Sequence, residues 1–285
     1  MAITIDQVYI ETFERNLRHL AQQSAARLRP YVTEKPTNGE SHNWERLGPS
    51  EAVEKTSART NTPEADVPFS RRVSQAATFH NGDTVEPEDI VQMLVQPQSN
   101  IAMNLAMSMR RKIDDVIIAA ATGTALNGDG TTSAFSASQS IGDGTGAMTL
   151  DTVLETQEKY YSNDIQMDER PIMVIGPKQQ RELMQLMEVT SGDYQNSRAL
   201  ATGTLPNWMG FDWVVSNRLL VPSAGQLDCL SFTRRGIGMQ MNNDIKAKVG
   251  EDPTKSFLMR IYTMMTLGAV RTEDEHVVRI RLANA

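Results

Sequence analysis

Cysteine is almost missing from this chain: of 285 residues, only Cys229 is one. A lone thiol forms no internal disulfide and no cysteine metal cluster, and its place in the apolar run LDCLSF reads as a buried, inert side chain. Histidine is scarce as well. His19, His42, His80 and His276 are scattered without a His-x-x-x-His or His-Glu pairing, which argues against zinc and reads as solvent-exposed side chains. Long apolar runs are lacking: mean hydropathy is -0.38, and no stretch of about 18 apolar residues is available to span a membrane as a helix. The opening MAITIDQVYIETFERNLRHL has no basic leader followed by an uninterrupted apolar segment, so a cytoplasmic origin is expected. An excess of positive charge is also absent. The formal net charge is -7 and the pI near 5.2, the opposite of a nucleic-acid-gripping footprint, so any contact with DNA should be weak and local.

The motifs of familiar catalysis are missing too. There is no G-x-S-x-G elbow for serine hydrolysis and no G-x-x-x-x-G-K-[ST] phosphate loop. The run Asn127-Gly128-Asp129-Gly130 has a faint calcium-loop look, yet without alternating carboxylates and a closing Glu it reads as a turn. Met103, Met107, Met109, Met184 and Met187 fall in helical segments, where methionine is core filler. No catalytic, cofactor-binding or metal-ligating residue is therefore expected.

What is present is an order of segments. With 40% hydrophobic residues over 285 positions, there is material for one large or two ordinary domains. Residues 5 to 29 place Ile10, Phe13, Leu17, Leu20 and Ser24 near one helical face, and this amphipathic arm is expected to end at Pro30. A long polar stretch from His42 to Val85 follows. If it pairs on itself around Ala58 to Ala65, each arm holds roughly 18 residues and reaches about 55 Å, against a radius of gyration of about 19 Å for a compact chain of this length. Such a ribbon is marginal in isolation and is expected to find its packing on another copy of the chain.

Beyond it, Pro87 starts and Pro97 stops a short helix over IVQMLVQ, and Ser99 is placed to cap the next. That next helix, 99 to 121, repeats Ile101, Leu105, Met109, Ile113, Val116, Ile117 and Ala120 at spacings of three and four, with Arg110, Arg111, Asp114 and Asp115 on the other side. The Gly-, Ser- and Thr-rich residues 123 to 147 read as loop or flexible hairpin. A helix at 151 to 161, the strand PIMVIG, a helix from Gly176-Pro177, and strands at WMGFDWVV and LDCLSF give βα character, and 245 to 282 reads as long alternating strands. The result is an α+β chain with two core-forming regions.

The same pieces in the same order, with FSRRVSQAATFHNGDTVEPEDI at the base of the extended stretch, MRRKIDDVIIAAATG closing the long helix, GFDWVVSN, and GAVRTEDEHVVRI near the end, resemble the major capsid protein of tailed bacteriophages with the HK97-like fold. The resemblance implies an N-terminal arm over 1-43, an extended β-hairpin loop (E-loop) over 44-85, a peripheral domain over 86-148 and 236-285 around the spine helix, and an axial domain over 149-235. It further implies self-assembly as pentamers and hexamers into an icosahedral shell enclosing double-stranded DNA. A separate scaffolding protein, a portal and a decoration protein are the partners expected beside further copies, with a virion location after assembly in the host cytoplasm. An encapsulin nanocompartment is the alternative within the fold; a soluble α+β enzyme with an unrecognised site is the alternative outside it.

Candidate subunit contacts follow from charge and placement. Trp44, an aromatic in a stretch with little core to join, reads as an interface anchor. Arg71 and Arg72 are either a solvated strand face or partners for a neighbour's carboxylates, with Glu51, Glu54 and Asp89 as the acidic candidates and Arg46 beside them.

Overall fold

The computed structural model describes residues 22–58, 62, 64, 66–85, 97–165, 169–186, 207–255 and 257–284. In chain order the elements are β1 (Thr33–Pro36), β2 (Ser41–Leu47), β3 (Phe69–Gln75), β4 (Ala77–Val85), α1 (Pro97–Thr122), β5 (Ala125–Asn127), β6 (Thr132–Ser133), β7 (Ser140–Ile141), α2 (Leu150–Ser162), β8 (Ile172–Ile175), α3 (Pro177–Met184), β9 (Asp212–Val215), β10 (Gln226–Phe232), β11 (Ile237–Asp252), β12 (Leu258–Arg271) and β13 (Val277–Ala283). The chain folds as two compact units, one of Met1–Ala25, Thr78–Arg111 and Asp244–Met265, the other of Ala26–Ala77, Lys112–Asn243 and Thr266–Ala285.

In the first unit, β4 and the outer parts of β11 and β12 lie side by side in the order β11-β12-β4. Alternation holds this sheet to its core: Ile261, Thr263 and Met265 turn inward from β12, and the buried Thr263 hydroxyl donates to the Asn81 carbonyl. The early turns of α1 supply Leu105 and Met109 to the core, while Arg110 donates to the Ser24 carbonyl and Arg111 to the Gln22 side chain. Pro97, expected to stop a preceding helix, is instead the first residue of α1, a position that requires no N–H. Ser99 accordingly lies inside the helix. The short helix expected at IVQMLVQ, and the arm up to residue 21, fall outside the described residues.

The second unit is built on a five-stranded sheet, β7-β13-β10-β8-β9. Its centre is antiparallel, with β10 and β13 in register from Gln226↔Ala283 to Phe232↔Val277. Directly opposed Asp228 and Arg281 form a two-point pair at 2.7 and 3.0 Å. All four residues of β8 are buried, and α2 seals this region with Tyr160, whose hydroxyl donates to Ser231 Oγ at 2.9 Å. Cys229 is buried in β10, and desolvation pushes its thiol up to about 12, which fits the inert reading. The last strand was expected with the C-terminal run at 236–285; its seven rungs to β10 place it in the sheet of the 149–235 region instead, because Val278, Ile280 and Leu282 complete that core.

Three other expectations change on local grounds. Residues 22–28 are not helical, since the buried Asp114 carboxylate of α1 accepts from the backbone N–H groups of Arg27 (3.0 Å) and Leu28 (3.1 Å). Asp114, placed by periodicity on the polar side, thus works inward. The run WMGFDWVV is strand only from Asp212, because Met209 and Gly210 take positive φ and fold Trp208 back to bridge Phe211. His42 and His276 are only partly exposed, His276 Nδ1 lying 2.6 Å from the Thr233 hydroxyl.

Candidate assembly surface

A second sheet of the second unit, β2-β3-β5-β6, carries most of the candidate contact residues. β2 and β3 pair antiparallel over seven rungs from Ser41↔Gln75 to Leu47↔Phe69, and Gly48 closes the ladder by donating to the Pro68 carbonyl at 2.8 Å. The register is centred on position 58, where the turn was expected. The arms, however, are seven residues long and not about 18: beyond Gly48 the described residues form no strand, and each of 49–58 is exposed.

Because successive strand residues face opposite sides, the hairpin has two characters. Its even positions turn inward. Trp44, 6% exposed, lies flat on Gly238, where an added Cβ would come within 2.6 Å of the ring, so only glycine fits there. Trp44 Nε1 donates to Ser74 Oγ (3.0 Å), which donates to Gln240 Oε1 (2.8 Å), while Lys35 Nζ sits 5.0 Å over the ring. The premise that this tryptophan lacks a core of its own is therefore corrected: it packs with Ala125 and Val270 of the same chain.

Arg72, opposite Trp44, is also inward and only 3% exposed. Its Nη2 donates to Asp274 Oδ2 at 2.7 Å, and the other oxygen of that carboxylate accepts from Arg271 Nε at 2.5 Å. Arg271 is fully buried and also donates to the carbonyls of Ala121, Gly123 and Ser133. One carboxylate thus serves two guanidinium groups. Arg72 Nε and Nη1 are buried without a hydrogen-bond partner among the described residues, and burial lowers the arginine's affinity for its proton.

The odd positions face out. Glu45 and Arg71 pair at 3.0 Å with more than half of the one side chain and half of the other exposed. Next to them the opposed Leu47 and Phe69 are 65% and 80% exposed. Between the hairpin and the β5–β6 turn lies a cleft of about 600 Å³ lined by Glu45, Arg46, Phe69, Arg71 and Arg72 from the hairpin and Asn127 to Asp129 from the turn, so acidic and basic groups share it. The Arg71 stem rests on Gly128, where a side chain would collide with it, and Asp129 accepts from the N–H and hydroxyl of Thr131, which holds its carboxyl below the usual range. The faint calcium-loop run is this turn.

Residues 5–284 match the family model described as phage capsid protein. The chain belongs to that family. Its fold is that of solved phage capsids at low sequence identity: the capsid of cyanophage P-SCSP1u at 14% identity and TM-score 0.76, covering 98% of this chain and 94% of that one. The capsid of cyanophage Pam1 follows at 13% and 0.73, covering 100% and 99%. That of Ralstonia phage GP4 stands at 9% and 0.73, covering 100% and 98%. No curated protein sequence matches.

Leu47 and Phe69 thus form an exposed apolar pair at the root of an exposed loop. Of the sequence candidates, Arg46, Arg71 and Arg72 meet at one cleft, Glu51 and Glu54 stand exposed on the loop, and Asp89 lies outside the described residues. Sequence reasoning missed Leu47, Phe69 and Asp274. The first two end the strings SHNWERL and FSRRVSQ, and pairing those strings in register would have exposed them; Asp274, in the run RTEDEH, carries no comparable signal.

Proposed function

We propose that copies of this chain close as pentamers and hexamers into the icosahedral shell of a tailed phage, around double-stranded DNA. The observation that carries this reading, beside family membership, is the root of the extended loop, where Leu47 and Phe69 stand in water next to a cleft holding three arginines. An exposed apolar pair beside a charged cleft is poor design for a monomer and good design for a repeated contact. The loop at 48–68 is then the E-loop, the first unit the peripheral domain, and the five-stranded sheet with α2 and α3 the axial domain, now including 277–283. Arg46, Glu51, Glu54 and Arg71 are proposed as subunit contacts, and Trp44 and Arg72 as the internal supports on which that surface is mounted.

A net charge of -7 suits a container that must not hold its polyanionic cargo tightly. A separate scaffold, a portal and a decoration protein complete the proposed set of partners, with assembly in the host cytoplasm. Electron microscopy of the purified protein, with and without a co-expressed scaffold, tests the reading. Closed shells of uniform diameter are expected, and a protein that stays monomeric under both conditions overturns it.

A further inference from the structure

Asparagine followed by glycine occurs three times in the chain, at Asn38-Gly39, Asn81-Gly82 and Asn127-Gly128. The pair is chemically labile, because glycine has no Cβ to shield its amide nitrogen, and that nitrogen can close a five-membered ring on the asparagine side chain. Closure needs rotation of the asparagine backbone and side chain, and a glycine N–H free to give up its proton. Two of the three pairs are held. In Asn127-Gly128 the glycine N–H donates to the Arg71 carbonyl (3.0 Å) and Asn127 Nδ2 to Thr131 Oγ1 (2.8 Å). In Asn81-Gly82, inside β4, the Asn81 carbonyl accepts from Thr263 and Asn81 Nδ2 donates to Ser108 Oγ (3.1 Å). The Gly82 N–H there donates to Asn81 Oδ1 (2.9 Å), an approach that presents the amide oxygen and not Cγ to the nitrogen. Asn38-Gly39 is different. Both residues are exposed in the corner between β1 and β2, and neither the Asn38 side chain nor the Gly39 N–H makes a hydrogen bond among the described residues.

We propose that Asn38 is a site of spontaneous covalent modification, deamidating through a cyclic imide to aspartate and isoaspartate ahead of Asn81 and Asn127. The Gly39 nitrogen, its proton lost to solvent, attacks Asn38 Cγ; a C–N bond forms, the C–NH2 bond breaks, and the amide nitrogen leaves as ammonia with a proton from water. Water then opens the ring. Cleavage at the side-chain carbonyl gives aspartate, and cleavage at the main-chain carbonyl gives isoaspartate, whose backbone runs through Cβ and Cγ and is one carbon longer. Nothing is oxidised or reduced. The extra atom falls in a corner of fixed length, because Asn242 bridges it, accepting from the Thr37 hydroxyl (3.0 Å) and donating to the Gly39 carbonyl (2.6 Å). Next in line, the Glu40 carbonyl accepts from the Ala76 N–H (2.8 Å) and from Gln240 Nε2 (3.2 Å). Gln240 in turn accepts from Ser74, the partner of Trp44. Isoaspartate at position 38 therefore loosens the start of the β2–β3 hairpin, whereas aspartate adds a surface charge and keeps the chain length.

Peptide mapping by mass spectrometry of the full chain, aged in warm, mildly alkaline buffer, reads the site. Asn38 should convert roughly ten-fold faster than Asn81 or Asn127, the factor that one or two retained hydrogen bonds supply. In urea the three rates should converge, because the held pairs lose their partners. Fastest conversion at Asn81 or Asn127, or equal rates in the folded chain, overturns the assignment, and a gap that persists in urea overturns its structural cause. Gly39→Ala should slow conversion at residue 38 by shielding the attacking nitrogen, and an unchanged rate there counts against ring closure. The consequence is read separately. Asn38→Asp should melt as the fresh wild-type chain does, while the aged chain, carrying isoaspartate, should melt a few degrees lower. Equal melting of aged and fresh chains would show that the corner absorbs the extra atom, and that part of the proposal falls.

Discussion

Arg71 and Arg72 are neighbours in sequence with opposite environments, and strand alternation is the whole cause. One lies in water beside Glu45; the other is sealed under the hairpin with Asp274. Replacing Arg71 with Ala should cost under about 1 kcal/mol of subunit stability, as for other exposed pairs. Asp274→Ala should cost about 3 to 5 kcal/mol, because it leaves two buried guanidinium groups without their shared anion. Trp44→Ala should also cost about 3 to 5 kcal/mol by opening a cavity over Gly238. Thermal unfolding of the unassembled subunit checks all three, and similar losses for Arg71 and Asp274 would contradict the two-faced hairpin. A pH effect belongs to the same segment. The hydrogen bond from His276 Nε2 holds the Glu273 carboxyl below its ordinary 4.5, burial opposing this only in part. A depressed carboxyl contributes stability that is present above its unfolded value and lost as pH falls below 4.5 through the folded value. Glu273→Gln should therefore flatten the acid limb of the subunit's melting-temperature profile and leave the neutral region nearly unmoved.

At the scale of elements, legibility followed the range of the interactions involved. The long helix was readable because its apolar repeat is local: Leu105, Met109, Ile113 and Ile117 are all buried. So were α2, β8, α3 and β10, each bounded by Gly, Pro or a capping Thr; Thr149 Oγ accepts from the Thr152 N–H. What local pattern cannot supply is the partner of a strand. The hairpin stops at Leu47↔Phe69 because Gly48 and Pro49 on one side and Pro68 on the other end the regular run, and β13 joins β10 across 44 intervening positions, from Phe232 to Val277 at their near ends. Polar residues with an inward task were unreadable for the same reason, Asp114 among them. The helix prediction separates the two kinds of position. Ile113→Ala, at a fully buried site, should cost about 2 to 5 kcal/mol in chemical denaturation of the subunit. Arg110→Ala, exposed and donating to one carbonyl, should cost under about 1.5 kcal/mol. Equal costs would remove the basis for the helix as core.

For the whole molecule, the division is between what holds the subunit and what the subunit offers. Residues 49–58 are exposed throughout and no sheet includes them, so the loop adds little buried area to the fold. Its chain-entropy effect is also small, since halving a flexible loop changes closure by only about 0.6 kcal/mol. Replacing residues 50–66 with a short Gly/Ser link should then leave a soluble protein with one cooperative melting transition, shifted by no more than a few degrees. The hairpin beneath would persist, because its seven rungs, Trp44 on Gly238 and the Arg72–Asp274 pair all lie outside the deleted stretch. Shells should nevertheless be lost, as Glu51, Glu54 and the exposed Val53 go with the loop. The charged groups among the proposed contacts make raised salt weaken assembly of the intact chain, the Debye length shrinking from about 10 Å at 0.1 M to about 3 Å at 1 M. Analytical sedimentation of both proteins across a salt series reads these outcomes together: a loop-replaced chain that still closes into normal particles, or one that no longer melts cooperatively, would show that subunit folding and shell contacts are not divided at the root of this loop.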